Sequence, residues 1–153
     1  MPTATNEIEL PVPAERAFEA VADFGRYDEW LTVHQGWPQG PPSEASTGTT
    51  FKEQVKVMRT PVEVNWTVSE FDAPTALSFE GTGPMGSRMR SSYRVSAAGE
   101  GSRLTLESEM DGGPLAGPMG KMVINSAEKM LGESLEKLKA LLLAEPAKET
   151  SAA

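Results

Sequence analysis

The chain carries one histidine, His34, set between two tryptophans, Trp30 and Trp37. A lone loop histidine is ordinarily a surface or capping residue, and that is the first expectation here. The flanking indoles give the competing reading, in which Trp30, His34 and Trp37 form part of a cavity mouth. Glu53 is the second anomaly: it alternates with Lys52 and Gln54, which puts its carboxylate on the apolar face of Phe51, Val55 and Val57. An unpaired buried carboxylate is costly, so a bulge or a strand-end position turning Glu53 outward is preferred over a cavity acid. Tyr93, Ser91 and Ser108 add hydroxyls on inward-facing positions. If the chain is an enzyme, His34, Glu53 and Tyr93 are the groups available for proton transfer. No Ser-His-Asp arrangement follows from the spacing, and catalysis stays undecided.

Other chemistry is excluded more firmly. Cysteine is absent, which removes disulfides, thiol nucleophiles and cysteine-based metal sites. A single histidine cannot build a multi-histidine metal site, and no calcium-loop spacing occurs; no metal and no cofactor are expected. Gly81-Thr82-Gly83-Pro84-Met85-Gly86 has the spacing of a dinucleotide loop but is followed by a strand pattern, where the pyrophosphate needs a helix N-terminus. Gly120-Lys121 resembles the end of a P-loop, yet Met122 stands where Ser or Thr is required and Leu115 where the first glycine belongs.

The elements that must position these residues are set by two periodicities. After Asp111 comes a glycine-proline loop, and from Lys121 the pattern is helical: Val123, Ala127, Met130, Leu131, Leu135, Leu138, Leu141 and Leu142 share one face. Glu128, Lys129, Glu133, Glu136, Lys137 and Lys139 take the other. Upstream, Glu7 to Leu10 alternates as a short strand, and Ala14, Ala17, Phe18 and Val21 mark a helix opened by Pro13. Arg26 to Leu31 suits a second short helix, and His34 to Gly48 reads as loop.

From Thr49 the period is two. Five runs contain Phe51 to Val57, Val62 to Val68, Leu77 and Phe79, Met89 to Val95, and Leu104 to Met110, joined by short turns. Short turns imply an antiparallel meander, hence an α+β class, with the N-terminal strand pairing at its edge. Arg88, Arg90, Arg94 and Arg103 fall on the outward face with Glu63, Glu107 and Glu109, which reads as a solvated surface.

The 153 residues suffice for one domain with a real core, expected over 6–143, with flexible tails at 1–5 and 144–153. The net charge of −8 argues against nucleic acid as a partner. No apolar run approaches the ~18 residues of a membrane span, and the N-terminus lacks the features of a signal peptide, so no membrane insertion and a cytoplasmic location are expected.

With these elements in order, the chain resembles the SRPBCC superfamily (START-like, helix-grip), and within it the polyketide cyclase/dehydrase-like group. The residues that carry the likeness are Val12-Pro13-Ala14-Glu15 with Phe18, Val21-Ala22-Asp23, and Arg26-Tyr27-Asp28-Glu29-Trp30. Trp30 to His34 with Trp37, Trp66-Thr67, and Gly112-Gly113-Pro114-Leu115 with Gly117-Pro118 resemble an actinobacterial branch described as toxin-like members of toxin–antitoxin pairs. The resemblance implies a curved antiparallel sheet wrapped around the long C-terminal helix, with a cavity between them for a lipid-like or aromatic polyketide-like molecule.

The ligand-facing set expected on that basis is Trp30, His34, Trp37, Phe51, Val55, Val64, Trp66, Phe79, Met89, Ser91, Tyr93, Leu106, Ser108, Met119, Met122, Val123 and Met130. Binding or carriage of a small hydrophobic molecule is the preferred function. A cyclase/dehydrase-like (aromatase-like) enzyme, or a toxin held by a small antitoxin-like protein, is the alternative. A homodimer through an edge strand stays open.

Overall fold

The computed structural model describes residues 3–40, 46–57, 60–113 and 117–144. In chain order these are β1 (Thr3–Leu10), α1 (Ala14–Ala22), a 3-10 helix (Phe24–Glu29), β2 (His34–Gly36), β3 (Thr50–Val57) and β4 (Thr60–Asp72). They continue with β5 (Ala76–Thr82), a 3-10 turn (Pro84–Gly86), β6 (Arg88–Ala98), β7 (Gly101–Asp111) and α2 (Pro118–Ala144). The seven strands form one antiparallel sheet in the order β1-β7-β6-β5-β4-β3-β2. β2 to β7 is a meander, as the short turns require, and β1 closes on the far side of β7 with Asn6 opposite Leu106. The curled sheet grips α2, which packs against β1 and β7, while α1 packs against β6 and β7.

The period-two runs from Thr50 onward are the observed strands, and their inward residues are the buried ones. α2 begins at Pro118, a residue suited to a first helical turn, three positions before the helical pattern at Lys121. Its buried residues are Gly120, Val123, Ile124, Leu131, Ser134, Leu135, Leu138 and Leu142. Ser134 is a polar member of that stripe and is fully enclosed. Its Oγ donates to the Met130 carbonyl (2.9 Å) and accepts from the Thr32 N–H (2.9 Å), pinning the segment after the 3-10 helix onto α2. Asn6 Nδ2 donates to the Glu128 carbonyl (3.0 Å) and ties β1 to the same helix.

Three expectations change. β1 starts at Thr3, opposite Glu109, so residues 3–5 are strand and not tail; residues 1–2 and 145–153 of the expected tails lie outside the described residues. The stretch from His34 to Gly36 is a short strand pairing with β3, because its backbone completes the ladder beside Gln54 and Val55. The expected second short helix is present with other bounds than Arg26 to Leu31: it is a 3-10 helix from Phe24 to Glu29, and Phe24 is buried within it.

On the convex face Arg103 pairs with Glu9 (3.1 Å) and Glu7 (3.8 Å), and Arg94 with Glu70 (3.3 Å). Exposed pairs of this kind contribute little because solvent screens them, so that face is a solvated surface, not a source of stability.

Candidate functional site

Between the concave face of the sheet and the first half of α2 lies a cavity of about 800 Å3, its opening included. Its sheet wall contains Val55, Trp66, Phe79, Met89, Ser91, Tyr93, Leu106 and Ser108. Val123, Ser126, Ala127, Met130 and Leu131 line it from α2, and Tyr27, Leu31 and Val33 close one end. Lys56, Arg90 and Glu109 also border it. Strand alternation carries their side chains to the other face, so their backbone forms the border.

Glu53 belongs to the wall, and the outward turn expected for it does not occur. β3 is regular through this position, with Glu53 opposite Val64 and no register shift against β4, so the carboxylate points inward at 5% exposure. Burial is tolerated because both oxygens are paired. Glu53 Oε2 lies 2.6 Å from His34 Nδ1, and the Trp66 indole N–H donates to Oε1 over 3.0 Å. His34 is therefore not a surface or capping residue: it is 9% exposed, held on β2 opposite Val55. Each side chain removes the other's reason for being solvated, which is how a buried charged group persists.

Trp66 is fixed from behind. Gly81 sits across from it on β5, and a Cβ there would come within 2.6 Å of the indole. Only glycine leaves room for the ring to lie flat over that strand.

Two tyrosines extend the polar cluster. The Tyr27 hydroxyl donates to the Val21 carbonyl over 2.5 Å, and Tyr93 lies close enough to influence it. Burial raises the pKa of both, with the nearby Tyr93 and Glu53 raising Tyr27 further; for Tyr93 the Tyr27 hydroxyl opposes the rise and Glu53 adds to it. Both are neutral hydroxyls at physiological pH.

The remaining expected ligand-facing residues lie off the cavity wall. Trp30 is 1% exposed and packs edge-on against Tyr27 and Tyr93, behind the closed end. Trp37 rests on His34, ring centres 4.6 Å apart, so the two rings form a backing layer and not the mouth. Phe51 is buried among Phe24, Trp37 and Phe79, and Val64 is fully enclosed beside Gly81. Met119 and Met122 point outward, half exposed, because they fall on the face of α2 away from the sheet. The residues that sequence reasoning passed over are Tyr27, Leu31, Val33, Val57, Met110, Ser126, Ala127 and Leu131 in the wall, and Phe24 behind it. Tyr27 could have been found by its place between Phe24 and Trp30; Ser126 carries no signal beyond its small size within a leucine-rich helix.

Gly112 and Gly113 close the loop toward α2. Both have positive φ, and a Cβ on either would collide with the carbonyls of Gly86 and Met85, so the β5–β6 turn and the β7–α2 loop meet backbone to backbone. Residues 114–116 of the glycine-proline loop lie outside the described residues.

Residues 1–143 match the family described as polyketide cyclase / dehydrase and lipid transport. The chain belongs to that family. It is similar, 29% identical over 136 residues, to "Toxin Rv0910" of Mycobacterium tuberculosis, covering 89% of this chain and 94% of that one. "Uncharacterized protein Rv1546" of the same species is 25% identical, over 84% and 90% of the two chains. Among solved structures, a START superfamily protein from Mycobacterium smegmatis superposes with a TM-score of 0.73 at 17% identity, over 92% of this chain and 98% of that one. The helix-grip architecture is therefore that of the START/SRPBCC superfamily. Among the described residues no helix is long and apolar enough to cross a membrane.

Proposed function

We propose that the protein binds, and by binding carries or senses, a small hydrophobic molecule in the cavity between the sheet and α2. One observation carries this reading: a cavity between sheet and helix with an apolar and aromatic lining and a few converging polar groups, the form that small-molecule sites take. Family membership points the same way, and a cytoplasmic location is part of the proposal. Acid–base catalysis of the cyclase kind is a weaker reading, because both Glu53 oxygens are already engaged, one by His34 and one by the Trp66 N–H. Native mass spectrometry of the purified protein tests the proposal. A mass excess under gentle ionisation that disappears on denaturation is the expected result. An empty protein with no thermal shift in laurate or naphthol would overturn it.

A second reading has its own support. The name "toxin" on a relative, together with exposed Met85, Met119 and Met122, favours a protein surface that an antitoxin-like partner would cover. Co-purification of a small protein encoded beside this one is its test.

A further inference from the structure

Met85 is out of place twice. Among the described residues it is the one non-glycine with a left-handed backbone, at φ 58°, where a side chain is crowded against the following carbonyl. Its thioether is 77% exposed, so no packing of the side chain holds it there. What holds it is the neighbouring loop. Gly112 and Gly113, at φ 80° and 53°, press so closely on the carbonyls of Gly86 and Met85 that neither leaves room for a Cβ. Inside the turn the Ser87 N–H and hydroxyl both donate to the Pro84 carbonyl (3.2 and 2.8 Å), and the Gly83 N–H donates to the Ser87 carbonyl (2.9 Å). None of Pro84, Met85 and Gly86 is buried, so undoing the turn exposes little apolar surface. A costly backbone conformer kept only by its surroundings is the mark of an element with a second state.

The place of this contact gives it a role. The turn leads into β6, whose first inward residue is Met89; Gly112 follows β7, whose last inward residue is Met110. Those two methionines stand opposite each other, and both line the cavity. A Cβ on Gly83 would lie 3.5 Å from the Met89 methyl, so the turn rests on the wall itself. Tyr93, beside Tyr27 at the closed end, is four residues further along the same strand, about 13 Å away. The contact between turn and loop therefore spans the sheet rim at the end of the cavity opposite Tyr27.

We infer that the β5–β6 turn is a strained latch at the cavity entrance. Closed, it is held by Gly112 and Gly113; released, it relieves Met85 and frees the rim at Met89 and Met110 for a ligand to pass. This rests on the cavity-binding proposal and adds how the cavity opens.

The test combines amide hydrogen exchange with the kinetics of naphthol binding, on the full chain and three variants. Met85→Gly removes the crowding and should hold the latch shut. The Gly83 and Ser87 amides should then exchange about 3-fold more slowly, the relief being partly offset by the freedom glycine adds to the open turn. Naphthol should associate more slowly by the same factor. Gly113→Ala drives a Cβ into the Met85 carbonyl and should raise both rates about 10-fold. Met85→Ala, which keeps the crowding and drops the thioether, should match the unmutated protein. In every protein the Leu104 and Leu106 amides, in the middle of the sheet, should exchange far more slowly than those of the latch. Latch amides as slow as these would overturn the inference, since they would open only with the whole fold. So would shifts of one sign in Met85→Gly and Gly113→Ala, or association rates that ignore the exchange rates. If Gly113→Ala does not fold, the two Met85 variants decide: equal behaviour of Gly and Ala would remove the strain. No naphthol signal in any protein would overturn the cavity reading, and the exchange rates alone would then decide the latch.

Discussion

The two halves of α2 are built for different ends. Beyond Leu131, which ends the cavity wall, the inward stripe is Ser134, Leu135, Leu138 and Leu142, all buried. Before it, Gly120 and Ile124 are buried, while Val123, Ser126, Ala127 and Met130 line open space and Met119 and Met122 turn outward. One continuous helix therefore seals the fold at its C-terminal end and leaves a void at its N-terminal end. Side-chain volume makes the difference: leucines span the gap to the sheet, while serine and alanine at Ser126 and Ala127 do not. The sheet beneath follows suit, with Ser91 and Ser108 where larger side chains would fill the space.

The void side needs another source of order, and the His34–Glu53–Trp66 node supplies it. Glu53→Ala would leave His34 and the Trp66 N–H without their acceptor, and loss of one partner from a buried pair costs about 3–5 kcal/mol. Urea denaturation should show this as the largest single-residue effect on the cavity side. On the sealed side Leu138→Ala opens a cavity with little chance of collapse and should cost about 2–5 kcal/mol. Met130→Ala, made where space already exists, should cost about 1 kcal/mol, within the range of ordinary point substitutions. Equal losses at the two positions would erase the distinction between the halves.

A smaller effect separates them by pH. The two buried tyrosines have raised pKa values in the folded state, so the folded protein holds protons that the unfolded chain releases above about pH 10. Their contribution is complete below that value and is lost as pH rises through and beyond it. Melting temperatures taken from pH 8 upward should fall more steeply in the unmutated protein than in Tyr93→Phe, and parallel curves would contradict the burial of that hydroxyl. The smallest effect is expected at Ser91→Ala, within about 0.5 kcal/mol, because a hydroxyl facing open space has no protein hydrogen bond to lose. A loss several times larger would place it in a packed core.

Much of the architecture could be read from periodicity. The alternation through Phe51, Val55, Val64 and Trp66 set both the strands and their inward faces, and the spacing of Leu131, Leu135, Leu138 and Leu142 marked the helix and its buried stripe. What escaped was pairing between residues distant in sequence. His34 and Glu53 were each judged alone, as a surface ring and as an outward-turned carboxylate, when each is the partner that makes the other tolerable inside. Two polar anomalies bordering apolar faces were the available signal. β2 was lost because three residues are too few to show a period, and Ser134 because its role depends on Thr32, which only the folded chain brings beside it.

The central claim, that the N-terminal half of α2 borders space kept for a ligand, is tested most directly by Ala127→Phe, with stability and naphthol binding measured on the same preparation. A ring introduced into open space should leave the denaturation midpoint unchanged or raised while abolishing the naphthol signal. In a filled core the same substitution would overpack and cost about 1–3 kcal/mol. That loss, or binding that survives the substitution intact, would contradict the account.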